Sequence, residues 1–490
     1  MTSMPVSLPI NLAGSRIHLV GAKGTGVCAL AELLVGAGAL VSGSDVADVF
    51  YTDEVLAAIG VRVGAFSADS IMPDLDLVIH SAAYRADTNP ELLRARELGI
   101  PTMTYPEALG SFSALRDSSG ICGVHGKTTT TALAGTLARA LHLPASVLAG
   151  SAVGTFGGRS TLTLGDDLFI AETCEYRRHF LSFRPRRIVL TSVEPDHQDY
   201  YPDYESIAMA FVEYLVSLPE GGAVVYCADN PGAVDVWTRA RNARPDLRGT
   251  PYGFSAEGPF GIESYRVADE RGIWTLRGFD RPWRIRIPGR HIALDAVAAT
   301  ALCSVIVADR ESGRALTNAE LDAMALSLDQ FTGSRRRSEI LGEAMGVLFM
   351  DDYAHHPTAI DATLSGLKEF YPKRRLVVDF MSHTYSRTGA LLEEFASSFR
   401  AADLVVMHRI YPSAREVPDP SVSGRLLHER SLAHGAQARY FDEPLEALPF
   451  LRSELHDGDI FITMGAGDNW KLGRALHEEF SGSMAMKGSA

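Results

Sequence analysis

The chain has 490 residues, enough for about three domains with hydrophobic cores of their own. Hydrophobic residues make up 46% of the chain and charged residues 22%, a composition typical of globular proteins and not of disordered or fibrous ones. The 46 basic and 60 acidic side chains leave a net charge of −14, which repels nucleic-acid backbones and anionic lipids, so we expect neither nucleic acid nor membrane as a partner.

The chain opens with a β-α-β pattern around a glycine-rich turn. An apolar strand from Arg16 leads into the turn GAKGTG, an apolar helix over 27–35 follows, and a second strand ends at Ser44 and Asp45. The glycines of the turn are Gly21, Gly24 and Gly26. They stand where a dinucleotide-binding turn has its glycines, but in reversed spacing. Tight packing of strand on helix explains them about as well as a bound diphosphate does.

The alternation of strand and helix continues beyond this unit. An apolar run over 75–79 precedes Ser81, and a helix is predicted over Pro90–Leu98. This is the order that a parallel α/β sheet requires. We place the first domain at residues 1–115.

A second glycine turn, after a strand over 120–123, is the strongest chemical signal in the chain. Its residues are Gly123, Val124, His125, Gly126, Lys127 and Thr128, followed by Thr129 at the start of a helix. Gly126 lets the backbone curl around an anion at the helix N-terminus, Lys127 adds a positive charge, and the Thr128 hydroxyl can bind a magnesium ion. Ile121 stands where a complete P-loop motif has glycine. The context nevertheless favours phosphate binding over an ordinary loop.

Two further polar residues follow neighbouring strands. Glu172 lies just past a strand over 168–171, and His197 lies just past a strand over 188–192. Carboxyl ends of parallel strands meet at one edge of a sheet, so we expect both side chains beside the phosphate turn. Thr128, Glu172 and His197 are therefore the candidate ligands of a divalent cation. Either residue alone is more typical of a surface ion pair or a core histidine.

A strand over Ala223–Cys227 extends this second domain, which we place at residues 116–330. The third domain, at residues 331–480, has predicted strands over 347–350, 375–380, Leu404–Met407 and 459–464. We expect residues 481–490, SGSMAMKGSA, to form a flexible tail.

The third domain carries several polar strings whose residues alone leave the chemistry open. Asp351, Asp352, Tyr353, His355 and His356 follow an apolar strand. The two acids and two imidazoles can form a metal site, the acids can equally cap a helix while the histidines are exposed, or the string can contact a substrate. His383 and Arg387 follow another strand. Arg335, Arg336 and Arg337 open the domain, where an arginine can reach a nucleotide phosphate, although a solvated charge run is the commoner explanation.

The five cysteines are odd in number and contain no C-x-x-C pair, so the sequence indicates neither a disulfide framework nor a zinc site. The first basic residue is Arg16, and no uncharged run reaches the length of a spanning helix. We expect no export signal and no membrane anchor, and therefore a cytoplasmic protein.

Taken together, the motifs resemble those of the Mur ligase family over residues 17–476. The strings that carry the resemblance are GAKGTGVCALAELL, VSGSD, GVHGKTTTT, AETCEYRRHFL, EPDHQDYY, GRH, FTGSRRR, DDYAHHPT, SHTYSRT and GAGD.

The resemblance implies an α/β protein of three domains. They are an N-terminal Rossmann-like domain for a UDP-sugar, a central P-loop ATPase-like parallel sheet, and a C-terminal Rossmann-like domain for an amino acid. It also implies the reaction. ATP, with Mg²⁺, phosphorylates the carboxylate of UDP-N-acetylmuramate, and the amine of L-alanine attacks the acyl phosphate. We expect a monomer or a homodimer.

The resemblance also places individual residues. Those expected near the UDP-sugar are Gly21, Gly24, Gly26, Ser44, Asp45 and Ser81. Those expected near ATP are Gly123, His125, Gly126, Lys127, Thr128, Thr129, His291, Asp295, Arg336, Arg337, Asp351 and Asp352. Those expected near the joined substrates are Tyr353, His355, His383 and Arg387. Catalysis is expected from Lys127, Glu172, His197, His383 and Arg387.

The chain departs from the family pattern at three of these places. Ile292 and Asp295 stand where two asparagines usually follow the histidine of the GRH string, and Thr384 stands where an arginine usually follows His383. A family member that adds a different amino acid or a peptide is therefore one alternative. A nucleotide-binding relative without catalysis is another, less favoured because Lys127, Thr128, Glu172 and His197 are all present.

Overall fold

The computed structural model describes residues 6–412, Glu416 and 419–487. By the density of contacts between residues, the chain forms two compact units. The first unit comprises the described chain up to Val193 together with Ala208–Phe260 and Ala296–Ser327. The second unit comprises Glu194–Ile207, Gly261–Asp295 and the described chain from Leu328 onward.

The first unit contains a five-stranded parallel sheet in the order β3-β2-β1-β4-β5, the order of a Rossmann half. Its strands are β1 (Arg16–Val20), β2 (Leu40–Ser44), β3 (Arg62–Gly64), β4 (Leu77–His80) and β5 (Thr102–Thr104). The helices along this stretch are α1 (Thr25–Gly36), α2 (Tyr51–Ala58), α3 (Pro90–Leu98) and α4 (Tyr105–Ala114).

The same unit contains a seven-stranded sheet in the order β12-β11-β10-β6-β9-β7-β8, in which only β8 runs antiparallel to its neighbour. Its strands are β6 (Asp117–Cys122), β7 (Ala145–Val153), β8 (Arg159–Thr163), β9 (Leu168–Glu172), β10 (Arg187–Leu190), β11 (Ala223–Cys227) and β12 (Arg248–Tyr252). The helices that follow β6 along the chain are α5 (Lys127–Ala140), α6 (Tyr204–Val216), α7 (Pro231–Ala243), α8 (Arg290–Arg310) and α9 (Asn318–Asp329).

Among the described residues, only α8 is long and apolar enough to cross a membrane by length and composition. However, 72% of its most apolar window is buried inside the protein. Burial of that extent is typical of a core helix.

The second unit contains an antiparallel three-stranded sheet and a six-stranded sheet. The first is formed by β13 (Ile262–Ala268), β14 (Arg271–Leu276) and β15 (Phe279–Ile285). The second has the order β16-β17-β21-β18-β19-β20 and is parallel except for β16. Its strands are β16 (Glu339–Ala344), β17 (Val347–Asp352), β18 (Arg375–Met381), β19 (Leu404–Met407), β20 (Ala438–Tyr440) and β21 (Asp459–Gly465).

Helices and apolar clusters cover this larger sheet. The helices are α10 (Pro357–Phe370), α11 (Tyr385–Ala390), α12 (Leu392–Ser397), α13 (Gly424–Ala433), α14 (Leu448–Glu454) and α15 (Trp470–Lys487). Side chains of β17 alternate between two buried clusters, because successive residues of a strand point to opposite faces. Leu348 and Met350 belong to one cluster, whereas Val347 and Phe349 belong to the other.

The predicted α/β class with parallel-rich sheets is confirmed, whereas the domain boundaries at 115 and 330 stay a prediction. The structure differs from the sequence analysis at the end of the chain. Helix α15 continues to Lys487, where we expected a tail from residue 481. Alanine, methionine and lysine favour the helical state, so a helix already begun can propagate through 484–487. Residues 488–490 lie outside the described part.

Candidate functional site

The predicted phosphate turn lies between β6 and α5 in the first unit. Gly123 has φ 136°, and a Cβ there would lie 2.0 Å from the Thr191 hydroxyl oxygen. Gly126, the residue that precedes α5, is left-handed with φ 79°, and no side chain caps the helix within this described stretch. The N-terminal N–H groups of α5 are therefore left for an anion at the carboxyl edge of the sheet.

The main chain of the turn is tied to the end of the neighbouring strand. The His125 N–H donates to the Ser192 hydroxyl at 2.9 Å, and the Thr191 hydroxyl donates to the His125 carbonyl at 2.5 Å. The Val124 N–H donates to the Ser192 carbonyl at 3.0 Å. These bonds hold the turn in one conformation before a ligand arrives.

Lys127 folds back over the turn. Its ammonium donates to the Gly123 carbonyl and forms an ion pair with Glu175 at 2.9 Å. Burial disfavours the charged ammonium, but Glu175, Cys174 and Glu172 outweigh this effect and raise the pKa of Lys127 above its ordinary value. The lysine is therefore positively charged at neutral pH.

Two of the three predicted metal ligands are in contact. The Thr128 hydroxyl donates to Glu172 Oε2 at 2.8 Å. The backbone of Gly150 comes so close to this carboxylate that a Cβ there would lie 2.3 Å from Glu172 Oε2. The third, His197, belongs to the second unit, and its role with Glu172 stays a prediction.

The glycine turn of the first sheet is organised around Asp45. The buried carboxylate accepts the Lys23 N–H at 2.7 Å and the Tyr84 hydroxyl at 3.0 Å. Gly21 has φ 82°, and a Cβ there would lie 2.5 Å from the Tyr84 ring. Ser81 lies close to the turn, since the same Cβ would be 3.1 Å from its side chain. This region can approach a ligand closely through backbone alone.

Of the other residues predicted there, Ser44 already has a partner within the protein, whereas Gly24 does not have a capping side chain in the described chain. The Ser44 hydroxyl is fully buried and donates to Glu91. Gly24 precedes α1, and no side chain caps that helix within the described chain. A Cβ on Gly26 would lie 2.8 Å from the Tyr105 ring. Gly24 thus keeps the geometry of an anion site, whereas Ser44 is engaged in the core.

In the second unit, Arg387 forms a buried ion pair that the sequence analysis did not predict. Its Nε donates to Asp196 Oδ1 at 2.8 Å, and both side chains are 5% exposed. Burial opposes ionisation of Asp196, but Arg387 and His197 prevail and hold the pKa of this carboxyl well below its usual range. The buried Nη1 of Arg387 has no hydrogen-bond partner among the described residues. The guanidinium is thus held on one side and available on the other.

His355 and His383 lie beside this pair, with ring centroids 6.3 Å apart. Burial and the positive charge of Arg387 lower the pKa of His383 to about 4, and the same causes lower the pKa of His355 well below its ordinary value. Both imidazoles are therefore neutral at pH 7. The buried Nδ1 of His383 has no hydrogen-bond partner within the described chain.

The residues predicted near ATP in the second unit form a connected polar group. Arg336 donates to Asp351 at 3.0 Å and to the Gly465 carbonyl at 2.8 Å. The guanidinium carbons of Arg336 and Arg337 each lie 5.2 Å from the centre of the Tyr353 ring. Burial raises the pKa of Asp351, against the opposing effect of Arg336.

Asp352 and His356 serve the local backbone. Asp352 accepts N–H groups of Ser338 at 2.6 Å and Ala354 at 2.7 Å, and His356 accepts the Thr358 N–H as the N-cap of α10. Capping was expected from the acids with the histidines exposed, whereas His356 is itself the cap and is buried. His291 and Asp295 lie on the first turns of α8, where Asp295 is buried.

Two charged partners, Glu175 and Asp196, were missed by sequence reasoning. Both stand inside strings that the resemblance already used, AETCEYRRHFL and EPDHQDYY. Glu175 lies three residues past Glu172, and Asp196 directly precedes His197. An acidic residue close in sequence to a predicted ligand was thus the signal by which both could have been found.

The chain matches three models of one family. The "Mur ligase family, catalytic domain" matches residues 16–116, the "Mur ligase middle domain" matches residues 121–303, and the "Mur ligase, glutamate ligase domain" matches residues 336–467. These matches cover the strands of all three parallel-rich sheets except the first residues of β6.

Curated relatives match almost the whole chain. A UDP-N-acetylmuramate–L-alanine ligase from Treponema pallidum is 52% identical over 475 residues, which cover 97% of this chain and 98% of the relative. The enzyme of that name from Borreliella burgdorferi is 36% identical over 94% of this chain and 97% of its own length. A crystal structure of UDP-N-acetylmuramate–alanine ligase from Thermotoga maritima has the same fold, with a TM-score of 0.73 and 24% identity over 96% of this chain and 99% of its own.

Proposed function

The chain belongs to the Mur ligase family, and we propose that it joins L-alanine to the carboxylate of UDP-N-acetylmuramate with cleavage of ATP to ADP and phosphate. This reaction adds the first amino acid to the peptidoglycan precursor. The observation that carries the proposal is 52% identity over 97% of the chain to a UDP-N-acetylmuramate–L-alanine ligase.

The reaction needs activation because a carboxylate is a poor electrophile. A carboxylate oxygen of the UDP-sugar attacks the γ-phosphorus of ATP, and the bond from the γ-phosphorus to the bridging oxygen of ADP breaks. The amine of L-alanine then attacks the acyl phosphate, phosphate leaves with the carbonyl–oxygen bonding pair, and the nitrogen loses a proton. The product is an amide.

Lys127 and the N-terminus of α5 are suited to the first step. The raised pKa keeps the ammonium charged, so it can neutralise charge on the transferring phosphoryl group. Gly123 adopts φ 136°, a conformation open to glycine, in the turn that we assign to the same group. We assign phosphate binding to residues 123–129.

Mg²⁺ fits the oxygen-rich pair formed by Thr128 and Glu172, whose side-chain oxygens lie 2.8 Å apart. We propose that this pair holds the ion, with His197 as a ligand of a second cation. A bound Mg²⁺ supplies charge neutralisation to the phosphoryl oxygens. The carboxylate of Glu175 holds Lys127 in place beside the pair.

The group around Arg387 is suited to the second step. We assign the free Nη1 of Arg387 to the carboxylate of the amino acid, since a buried guanidinium N–H without a partner requires an acceptor. His383 and His355 are neutral at pH 7, so either imidazole can accept the proton that the attacking amine must lose.

The domain limits, the location and the partners complete the proposal. We propose the domain limits 1–115, 116–330 and 331–480, a cytoplasmic location, and a monomer or homodimer without nucleic-acid or membrane partners. The UDP-sugar is assigned to the first sheet, at Gly21, Gly24, Gly26, Asp45 and Ser81. With Asp295 and Ile292 in place of two asparagines, adenine recognition loses a donor, because an ionised carboxylate only accepts hydrogen bonds.

The experiment is an assay of phosphate release by purified protein with UDP-N-acetylmuramate and ATP, with each of a panel of amino acids. We expect release that depends on both the UDP-sugar and the amino acid, with the highest kcat/KM for L-alanine. A preference for another amino acid or a peptide would instead identify a different ligase of the family. Absence of release with all acceptors, despite binding of ATP, would refute the assignment as an enzyme.

A further inference from the structure

Three buried polar side chains of the second unit form a network that the proposed reaction does not use. They are Asp379 on β18, His408 directly after β19, and Asn469 directly before α15. Their exposures are 0%, 1% and 0%. His408 Nε2 donates to Asp379 Oδ2 at 2.6 Å, and Asn469 Nδ2 donates to Asp379 Oδ1 at 2.8 Å.

The geometry identifies His408 as a buried cation. Its second ring nitrogen, Nδ1, faces the carbonyl oxygen of Phe441 at 3.1 Å. Since both a carboxylate and a carbonyl accept hydrogen bonds, both ring nitrogens must carry protons to make these bonds. The pair is therefore an imidazolium and a carboxylate, each removed from water. Such a pair gains little stability over apolar residues of the same size.

The network joins three segments that leave the carboxyl edge of the sheet. Asp379 lies four residues before His383 and eight before Arg387. His408 lies three residues before Tyr411, whose N–H donates to the Ser382 carbonyl at 2.8 Å and whose carbonyl accepts the Thr384 N–H at 3.1 Å. The Tyr411 ring also stacks with that of His383 at a centroid distance of 6.2 Å.

Asn469 connects the third segment. Its Nδ2 also donates to the Met464 carbonyl at 3.0 Å, one residue before Gly465. Each carboxylate oxygen of Asp379 thus receives a bond from a different segment. The side chain fixes the segment after β18 against the segments after β19 and β21.

We propose that Asp379 and His408 are positioning residues for the amino-acid acceptor: through the segments after β18 and β19 they set the placement of His383 and Arg387. This inference deepens the proposed function, because it rests on the assignment of His383 and Arg387 to the acceptor step. The network itself touches no substrate.

The test removes the network while keeping the core packed. In Asp379→Leu/His408→Leu both charges are replaced by apolar side chains, so we expect a folded protein with a thermal midpoint close to or above that of the parent. We expect the KM for L-alanine to rise about tenfold or more, because small displacements of substrate-positioning groups are costly. The KM for UDP-N-acetylmuramate should change less than about twofold.

Asp379→Asn is the milder second variant, and Asp459→Asn is the matched control. Asparagine keeps the shape of Asp379 and one acceptor oxygen, so its KM for L-alanine should lie between those of the parent and the double variant. Asp459 is a buried aspartate paired with Arg375 at 3.0 Å. This pair lies where β18 and β21 begin, whereas the network lies where they end. Its variant should lose stability without a selective rise in the KM for L-alanine.

An unchanged KM for L-alanine in the folded double variant overturns the proposal. If the double variant does not fold, the same result in a folded Asp379→Asn variant overturns it. A rise of equal size in Asp459→Asn overturns it too. Hydrogen exchange of peptides covering 382–388 provides a readout independent of activity, and it should increase in the variants at Asp379. If the parent releases no phosphate with L-alanine, the proposed function fails, and unchanged exchange in this segment separately rejects the positioning role.

Discussion

At the scale of single residues, each of the two units places the cation of its candidate group beside a carboxylate that the protein itself supplies. Lys127 is paired with Glu175 in the first unit, and Arg387 is paired with Asp196 in the second. A buried charge is stable only when it is paired or neutralised. The internal carboxylates therefore keep each cation charged and oriented without a ligand.

Lys127→Ala tests the role of the first cation. Alanine removes the charge that the transferring phosphoryl group needs, so we expect kcat for phosphate release to fall by about a thousandfold or more. Single-turnover measurement with saturating substrates checks this. Arg139→Ala, on the last turn of the same helix, is the control and should retain activity. Similar turnover in Lys127→Ala and the parent would contradict the assignment.

At the scale of secondary structure, the turns before α1 and α5 show how glycine lets a turn pack closely against its neighbours. Gly123 at φ 136° and Gly21 at φ 82° adopt backbone conformations that side chains disfavour, and each is close to a neighbouring side chain. Both follow the carboxyl end of a parallel strand, where open α/β sheets bind their ligands.

Gly123→Ala and Gly157→Ala separate crowding from backbone strain. Gly157 has φ 75° with nothing within 4 Å of a Cβ, so its variant should lose only about 1 kcal/mol, or about 1 °C in thermal midpoint for a chain of this length. The Cβ of Gly123→Ala would lie 2.0 Å from the Thr191 hydroxyl oxygen, so we expect at least twice that loss together with lost phosphate release. Calorimetry of both variants decides, and equal shifts would contradict the crowding.

The ion pair between Asp379 on β18 and His408 after β19 makes the stability of the protein depend on pH. Burial opposes protonation of His408, but Asp379 and Glu443 together with the Phe441 carbonyl raise its pKa above the ordinary value. The pair therefore stabilises fully below the unfolded pKa of about 6.5, and this stability is lost as the pH rises through the raised folded value.

The measurement is the difference in thermal midpoint between the parent and Asp379→Leu/His408→Leu across pH 6 to pH 9 (about three pH units). Groups that titrate elsewhere cancel in this difference. We expect the parent to lose stability relative to the double variant as the pH rises. A difference independent of pH would show that His408 does not titrate with folding.

The sequence predicted the elements whose signal is local. Glycine turns between apolar runs identified the β-α-β units at Gly21 and Gly126, because strand, turn and helix are adjacent in the chain. The antiparallel strands β13 to β15 were not anticipated. Many of their residues are polar and half-exposed. In β13, for example, one buried residue is followed by six that are not buried.

Long-range partners escaped prediction for a different reason. Asp379 and His408 are 29 residues apart, and Asp379 and Asn469 are 90 residues apart, so no local pattern marks them. Arg387 and Asp196 are separated by 191 residues. Motifs locate the reactive side chains, but only the folded sheet shows which carboxylates hold them.

At the scale of the whole molecule, the net charge of −14 opposes the approach of anionic substrates. Both ATP and the UDP-sugar carry several negative charges. We therefore expect their binding to depend on local donors, for which we propose the N-termini of α5 and α1 and the ammonium of Lys127. Loss of a donor proposed for one ligand should consequently weaken the binding of that ligand and leave the binding of the other unchanged.

Ligand-induced stabilisation of the whole chain measures this independence. A ligand at one hundred times its Kd stabilises the native state by about 2.7 kcal/mol, which raises the thermal midpoint measurably even in a large protein. In the parent, ATP and UDP-N-acetylmuramate should each raise the midpoint. In Lys127→Ala the shift with ATP should shrink or vanish, while the shift with the UDP-sugar persists, because that ligand is assigned to the sheet containing Asp45. Loss of both shifts would mean that the two ligands share one site, and loss of neither would mean that Lys127 does not bind the triphosphate.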